Sequence, residues 1–303
     1  MTPVVFSIRG YEPMQAQLVA ALGAESGTVE RHRFPDGERY QRLATPMEGR
    51  EVIIVGGTVD DQSTLALYDL ACAAVMYGAR RLSLVVPYFG YSTMERAVRS
   101  GEAVIAKTRA RLLSAIPPAS SGNRVLLLDL HSEGLPHYFE GGLVAFHAYA
   151  KGILAPHIRR LGGTDFVLGS TDSGRAKWVE SLANDLGVDA AFILKRRISG
   201  TKTKVTALNA RVKGRVVVIY DDMIRTGGSL IGAGQAYRKA GASKLYAVAT
   251  HGVFPDGAYL RLVDSGLFSG VLTTDSHPRA NALASAGLEV VPVAAAFVDH
   301  LQR

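Results

Sequence analysis

One cysteine, one tryptophan and no long apolar run set the first limits on this 303-residue chain. Cys72 has no second cysteine for an internal disulfide, and its setting, Leu70-Ala-Cys-Ala-Ala-Val75, reads as a small buried position in a helix. That usage fits a reducing compartment, and the cytoplasm is the expected location. No apolar stretch approaches the ~18 residues that a membrane-spanning helix needs, so no membrane partner is expected. The opening Met1-Thr-Pro-Val-Val-Phe-Ser-Ile-Arg9 lacks a basic region ahead of a longer apolar core, so no secretory leader is expected. Zinc-ligand spacing, a basic arm and an RNA-binding aromatic motif are missing as well. The net charge of +7 therefore points to phosphorylated small molecules rather than nucleic acid, because the basic residues are spread out. Their densest cluster is Lys195-Arg-Arg197, with Lys202 and Lys204 nearby.

What is present is an alternation of β-rich apolar runs with longer helical patterns. Strands are predicted at 52–55, 82–86, 125–129, 166–168, 216–220 and 245–249. Near-continuous apolar strands joined by helices imply an α/β fold with mainly parallel sheets buried on both faces. An internal echo divides the chain. Ala74-Val-Met-Tyr-Gly-Ala-Arg-Arg-Leu82 parallels Ala236-Tyr-Arg-Lys-Ala-Gly-Ala-Ser-Lys-Leu245 with one gap. Arg50-Glu-Val-Ile-Ile-Val55 likewise parallels Arg215-Val-Val-Val-Ile-Tyr220. Two similar domains, 1–147 and 148–303, account for the pattern.

The densest chemistry lies in Val216-Val-Val-Ile-Tyr-Asp-Asp-Met-Ile-Arg-Thr-Gly-Gly-Ser229. Gly227 and Gly228 let backbone amides approach a ligand, Thr226 and Ser229 add hydroxyls, and the next helix contributes the positive end of its dipole. The loop reads as a phosphate cradle. Asp221 and Asp222 are acceptors suited to a diol or to a hydrated metal ion. A phosphate and a diol held by one loop suggest a ribose 5-phosphate. At the matching strand end the first half has Gly56 and Gly57, so only the second half carries the acid pair. His131, beyond the 125–129 strand, suits a hydrated magnesium ion or a phosphate oxygen.

The Asp-Asp loop resembles the phosphoribosyl diphosphate (PRPP) motif of type I phosphoribosyltransferases and PRPP synthetases. Further segments follow in the order seen in PRPP synthetases: His32-Arg-Phe-Pro-Asp-Gly-Glu38, Val86-Pro-Tyr-Phe-Gly-Tyr91, Arg96-Ala-Val-Arg-Ser100, Leu128-Asp-Leu-His-Ser-Glu133, Ser170-Thr-Asp-Ser-Gly174, Leu194-Lys-Arg-Arg197 and Ala247-Val-Ala-Thr-His-Gly-Val-Phe254. The resemblance spans nearly the whole chain. It implies two tandem phosphoribosyltransferase-like (Rossmann-like) domains and transfer of the β,γ-diphosphoryl group of MgATP to the C1 hydroxyl of ribose 5-phosphate, giving PRPP and AMP.

By the same resemblance Lys195 and Arg197 are the catalytic cations, on a mobile loop continuing through Ile198–Lys204. The nucleotide would be bound by Phe34, Asp36 and Glu38 from a neighbouring subunit together with Glu95, Arg96, Arg99 and His131. Magnesium would be held by His131 and Asp172. The sugar phosphate would fall to Asp221, Asp222, Arg225, Thr226, Gly227, Gly228 and Ser229. A homo-oligomer, dimer or hexamer, with a shared ATP site is the implied assembly.

Three segments depart from the family pattern. Ser92-Thr-Met-Glu95 stands where an Arg-Gln-Asp element usually helps to bind ATP, which puts the preferred nucleotide in question. Arg225 occupies a loop position often held by aspartate. The Ile198-Ser-Gly200 continuation lacks the proline-rich run of bacterial enzymes, which questions phosphate activation and ADP inhibition. Two other readings of the chain are a non-catalytic homologue that binds nucleotides or regulates a true synthetase, and a phosphoribosyltransferase consuming PRPP.

Overall fold

The computed structural model describes the backbone of all residues except 200, 201, 209 and 210, and the side chains outside positions 173 and 194–210. The chain forms two units, one comprising Met1–Tyr149 with Pro292–Arg303 and the other Ala150–Val291. The division at 147/148 read from the sequence assigns residues 292–303 to the second half, whereas they group with the first unit.

In the first unit, strands β1 (Val4–Ser7), β2 (Glu25–Ser26), β5 (Glu51–Val55), β6 (Arg81–Val86), β7 (Asn123–Leu128) and β8 (Leu143–Ala148) build a six-stranded sheet in the order β2-β1-β5-β6-β7-β8. Every pairing is parallel. Helices α1 (Glu12–Leu22), α2 (Asp61–Met76) and α3 (Ile105–Ser114) connect the strands. Strands β3 (Val29–Arg33) and β4 (Arg39–Leu43) leave the sheet as an antiparallel hairpin. Central strands covered on both faces explain the unbroken apolar runs: Val52, Ile53, Ile54 and Val55 are all buried. Asp60 starts α2 by accepting the Ser63 amide at 2.7 Å, while the Ser63 hydroxyl accepts the Asp60 amide at 3.0 Å. Cys72 on that helix is half-buried rather than fully buried, and burial raises its thiol pKa above the ordinary value.

The second unit repeats the plan. Helix α4 (Lys151–Gly162) leads into β9 (Phe166–Ser170), α5 (Ala176–Leu186), β10 (Asp189–Ala191), the hairpin β11 (Ile193–Ser199) and β12 (Lys202–Leu208), then β13 (Val216–Ile224), α6 (Gly228–Lys239), β14 (Lys244–Gly252), α7 (Ala258–Asp264), β15 (Val271–Thr274), α8 (Pro278–Leu283) and β16 (Glu289–Val291). Its sheet runs β10-β9-β13-β14-β15-β16, again parallel at every pairing. Taken in chain order, the two strand sequences are the same, including a hairpin between the second and third sheet strands. The echoes in the sequence fall on equivalent elements, β5 with β13 and the α2–β6 junction with α6–β14. Even the helix ends correspond: α1 stops at Gly23 (φ 59°) and α5 at Gly187 (φ 63°), left-handed caps that a side chain would strain.

The remaining helix, α9 (Ala295–Gln302), belongs to the first unit. Arg124 on β7 donates to the carbonyls of His300 at 2.7 Å and Leu301 at 3.0 Å, satisfying orphan carbonyls at the helix end. Among the described residues no helix is long and apolar enough to cross a membrane.

Candidate active site

Strands β9 and β13 are parallel neighbours, so the loops beyond their carboxyl ends lie side by side. The sequence reading ends the second strand at Tyr220; β13 instead continues to Ile224, with Asp221 opposite Ala249 and Met223 opposite His251. The two aspartates are thus fixed by a ladder rather than carried on a free loop. Thr171, just past β9, donates its hydroxyl to Asp221 Oδ2 at 2.9 Å, and the Asp222 amide donates to Asp221 Oδ1 at 3.0 Å. Asp222 is buried and forms an ion pair with the Arg175 guanidinium.

The two acids differ electrostatically. Burial, and then the neighbouring Asp222 carboxylate, hold the Asp221 carboxyl well above the usual carboxylate range, with the Thr171 hydroxyl opposing. A hydroxyl donor, or a cation with its waters, placed against this pair would relieve the crowding of negative charge. Magnesium takes few protein ligands and keeps several waters, and an acid pair of this kind is able to accept from such waters. Asp172 is set by its own turn: its Oδ1 accepts the Gly174 amide at 2.9 Å and its carbonyl accepts the Ser170 hydroxyl at 2.7 Å. Among the described residues no group of three or more His, Cys, Asp or Glu gathers as a metal cluster.

Arg225, Thr226, Gly228 and Ser229 are exposed at the start of α6. Gly227 is the cap, with φ 81°, and a Cβ there would sit 3.0 Å from Leu262 Cγ. Among the described residues no side chain caps this end, and no acid lies in its first turn. The leading amides of a 12-residue helix therefore face solvent without a competing carboxylate, the arrangement that a phosphate needs. Arg261 on α7 reaches the Thr226 carbonyl at 3.5 Å, bracing the loop from behind. Behind the acids, Tyr220 stacks on Trp178 with centroids 3.7 Å apart and gives or takes a hydrogen bond with the Thr250 hydroxyl at 2.8 Å.

The first unit fills the equivalent crevice. A Cβ on Gly57 would stand 2.0 Å from the Tyr11 hydroxyl, and one on Gly90 would stand 1.9 Å from the Thr58 carbonyl. Thr58 Oγ1 also accepts the Gly90 amide at 2.8 Å. Backbone and aromatic groups take up the space that the aspartates occupy in the second unit.

The nucleotide candidates are spread over the first unit. Phe34, Asp36 and Glu38 form the tip of the β3–β4 hairpin, where the Glu38 amide donates to Asp36 Oδ1 at 3.0 Å and Gly37 has φ 96°. Phe34 is exposed and its ring meets His32 edge-on at 4.6 Å. Further along, Tyr91 (φ 61°) donates its hydroxyl to Asp61 Oδ1 at 2.8 Å, and Arg109 pairs with the same oxygen at 2.5 Å. These two hydrogen bonds hold the Asp61 carboxyl below its ordinary pKa. They anchor the start of the departing segment. Glu95 lies 3.6 Å from Arg96 and its carbonyl accepts the Tyr138 hydroxyl at 2.6 Å. The Arg99 amide donates to Glu102 Oε2 at 3.0 Å, with the Arg99 side chain exposed. His131 is exposed beyond β7, where Asp129 (φ 37°) turns the chain and the Leu130 amide donates to His147 Nε2 at 2.9 Å.

Lys195 and Arg197 are in β11, opposite Val205 and Thr203 of β12. Their side chains lie outside the described residues. The expected loop from Ile198 to Lys204 is largely strand instead, since β11 runs to Ser199 and β12 begins at Lys202. The β-branched residues of Lys202-Thr-Lys-Val-Thr206 favour that outcome. Thr171 and Arg175 carry contacts to the acids that the sequence reading did not assign. Thr171 sat inside a recognised segment and Arg175 one residue beyond it. The available signal was adjacency of the two parallel strands.

Comparison with known proteins agrees with this architecture. Residues 3–116 match the N-terminal domain of ribose phosphate pyrophosphokinase, and residues 171–303 match the phosphoribosyl synthetase-associated domain. The chain is 33% identical over 265 residues to the ribose-phosphate pyrophosphokinase of Methanopyrus kandleri, covering 86% of this chain and 88% of that one. It is 31% identical over 306 residues to that of Ralstonia nicotianae, covering 99% and 95%. The crystal structure of phosphoribosylpyrophosphate synthetase from Mycobacterium smegmatis is similar throughout, with a TM-score of 0.85 at 25% identity over 100% of this chain and 98% of that one. Two like-built parallel-sheet units are thus matched along their length, and the chain belongs to the ribose-phosphate pyrophosphokinase family.

Proposed function

We propose that this protein is a ribose-phosphate diphosphokinase, transferring the β,γ-diphosphoryl group of ATP to the C1 hydroxyl of ribose 5-phosphate to give PRPP and AMP. The observation that carries the reading is the pairing of a carboxylate couple, Asp222 buried and Asp221 half-buried, with an uncapped helix terminus just beyond the carboxyl end of β13. The couple suits vicinal hydroxyls, and the terminus suits a phosphate ester. In this scheme Thr226, Gly227, Gly228 and Ser229 receive the 5-phosphate with Arg225 beside it, while Asp221 and Asp222 accept from the ribose hydroxyls. Lys195 and Arg197 neutralise the diphosphate during transfer, a step that depends on positioning and charge more than on covalent catalysis. Phe34, Asp36, Glu38, Glu95, Arg96, Arg99 and His131 bind ATP, the hairpin residues from a neighbouring subunit of a homo-oligomer. Magnesium, held through His131 and Asp172, would supply charge neutralisation on the phosphates when bound.

The test is AMP release on mixing the protein with ATP, magnesium and ribose 5-phosphate. AMP formed only when all three are present supports the reading; ADP with orthophosphate, or no turnover, refutes it. A second reading, a non-catalytic homologue that binds nucleotides or regulates a synthetase, is favoured by one feature, Thr93-Met94 in place of the usual cationic and amide residues. It requires nucleotide binding with no AMP under any pairing of nucleotide and pentose phosphate.

A further inference from the structure

The acid pair is not left to itself. Arg175 stands in the short 3-10 turn Ser173–Arg175 between β9 and α5, and its guanidinium pairs with Asp222 Oδ2. Both partners are largely withdrawn from water, the Arg175 side chain 17% exposed and that of Asp222 6% exposed. A carboxylate so enclosed, beside a second one, is costly to keep ionised and aimed in one direction unless a cation faces it. Asp221 is held instead by the Thr171 hydroxyl at 2.9 Å and the Asp222 amide at 3.0 Å. The two acids are therefore anchored from the β9 loop in different ways, one by a neutral donor and one by a fixed charge. Arg175 is too enclosed to be a freely sampling surface cation, and α5 directly behind it fixes where its stem starts.

We infer that Arg175 is a positioning residue for the pentose: it holds Asp222 in the rotamer that accepts a sugar hydroxyl, so that ground-state sugar affinity depends on a residue outside the 221–229 segment. The inference rests on the sugar reading above and deepens it. A fixed rotamer lowers the ordering cost of binding. Truncating one member of an enclosed ion pair strands the other, so the loss should exceed that of a surface contact. A lysine at 175 restores the charge but not the guanidinium fork, and should recover the function only in part.

The experiment is calorimetric titration of the full-length chain with ribose 5-phosphate for wild type, Arg175→Ala, Arg175→Lys, Asp222→Asn and the double variant Arg175→Ala/Asp222→Asn, with kcat measured at saturating sugar. Arg175→Ala should weaken sugar binding tenfold or more while kcat changes less than threefold, and Arg175→Lys should recover part of the loss. The double variant should bind no worse than the weaker single one, because both changes remove the same interaction. Wild-type affinity in Arg175→Ala, or full additivity in the double variant, overturns the inference while leaving the sugar reading intact. Unchanged affinity in Asp222→Asn overturns the sugar reading and this inference with it. Should Arg175→Ala fail to fold, the Arg175→Lys titration decides alone: affinity equal to wild type contradicts the guanidinium role, and a partial loss with kcat retained upholds it.

Discussion

At Asp221 the stability of the fold and the proposed sugar-binding role pull in opposite directions. Burial and the adjacent Asp222 charge raise its pKa in the folded protein, so the native state holds a proton that the unfolded chain releases at lower pH. Its contribution to stability is therefore lost as pH climbs from the unfolded value, near 4, through the raised folded value. Asp221→Asn should flatten this decline and raise the melting temperature above neutral pH, while weakening ribose 5-phosphate binding. Thermal melts between pH 4 and 9 check the first effect and calorimetry the second; an unchanged pH slope would remove Asp221 as the source. Lys195→Ala should act on the other side of the reaction, lowering turnover ~10²–10³-fold with sugar binding retained, as loss of a transition-state donor does. Single-turnover AMP formation measures it, and a rate near wild type would take Lys195 out of the chemistry. At this scale, residue type and spacing in the sequence single out Asp221, Asp222 and the Thr226–Ser229 segment. Arg175 was hidden because its partner is 47 positions away, and only strand adjacency brings them together.

Among the elements, the central strands were readable and the edges were not. Val52–Val55, Leu82–Val86 and Val216–Tyr220 carry apolar runs because both faces are covered. Edge strands such as Glu25–Ser26 and Asp189–Ala191 are too short to show a period, and β8 alternates buried with exposed positions. The hairpins escaped for another reason. Val29-Glu-Arg-His-Arg33 and Lys202-Thr-Lys-Val-Thr206 lack an apolar run, and their strand character comes from antiparallel pairing, the first with β4 and the second with β11. One consequence concerns the first unit's closed crevice. Gly90→Ala forces a methyl against the Thr58 carbonyl, an overpacking expected to cost about 1–3 kcal/mol. Urea denaturation should show a lower midpoint, and an unchanged midpoint would mean that the Thr58–Gly90 junction relaxes freely.

For the whole molecule, the two units share one strand order, and the difference between them is local: glycines at the end of β5, aspartates toward the end of β13. The repeat in the sequence exposed that plan, but the return of α9 to the first unit carried no periodic signal, since an amphipathic terminal helix fits either partner. Its attachment runs through Arg124, which also donates to the Ser83 hydroxyl at 2.8 Å. Arg124→Ala should loosen α9 first, seen as faster amide exchange over residues 295–302 with the second unit's exchange unaltered; equal protection in wild type and variant would contradict that anchoring role. The claim on which the account turns is that the pentose phosphate sits at β13 and α6. Diffraction from crystals soaked in ribose 5-phosphate tests it directly. The phosphate should lie on the amides of Thr226–Ser229 with ribose hydroxyls at Asp221 and Asp222, and density for the sugar anywhere else would contradict it.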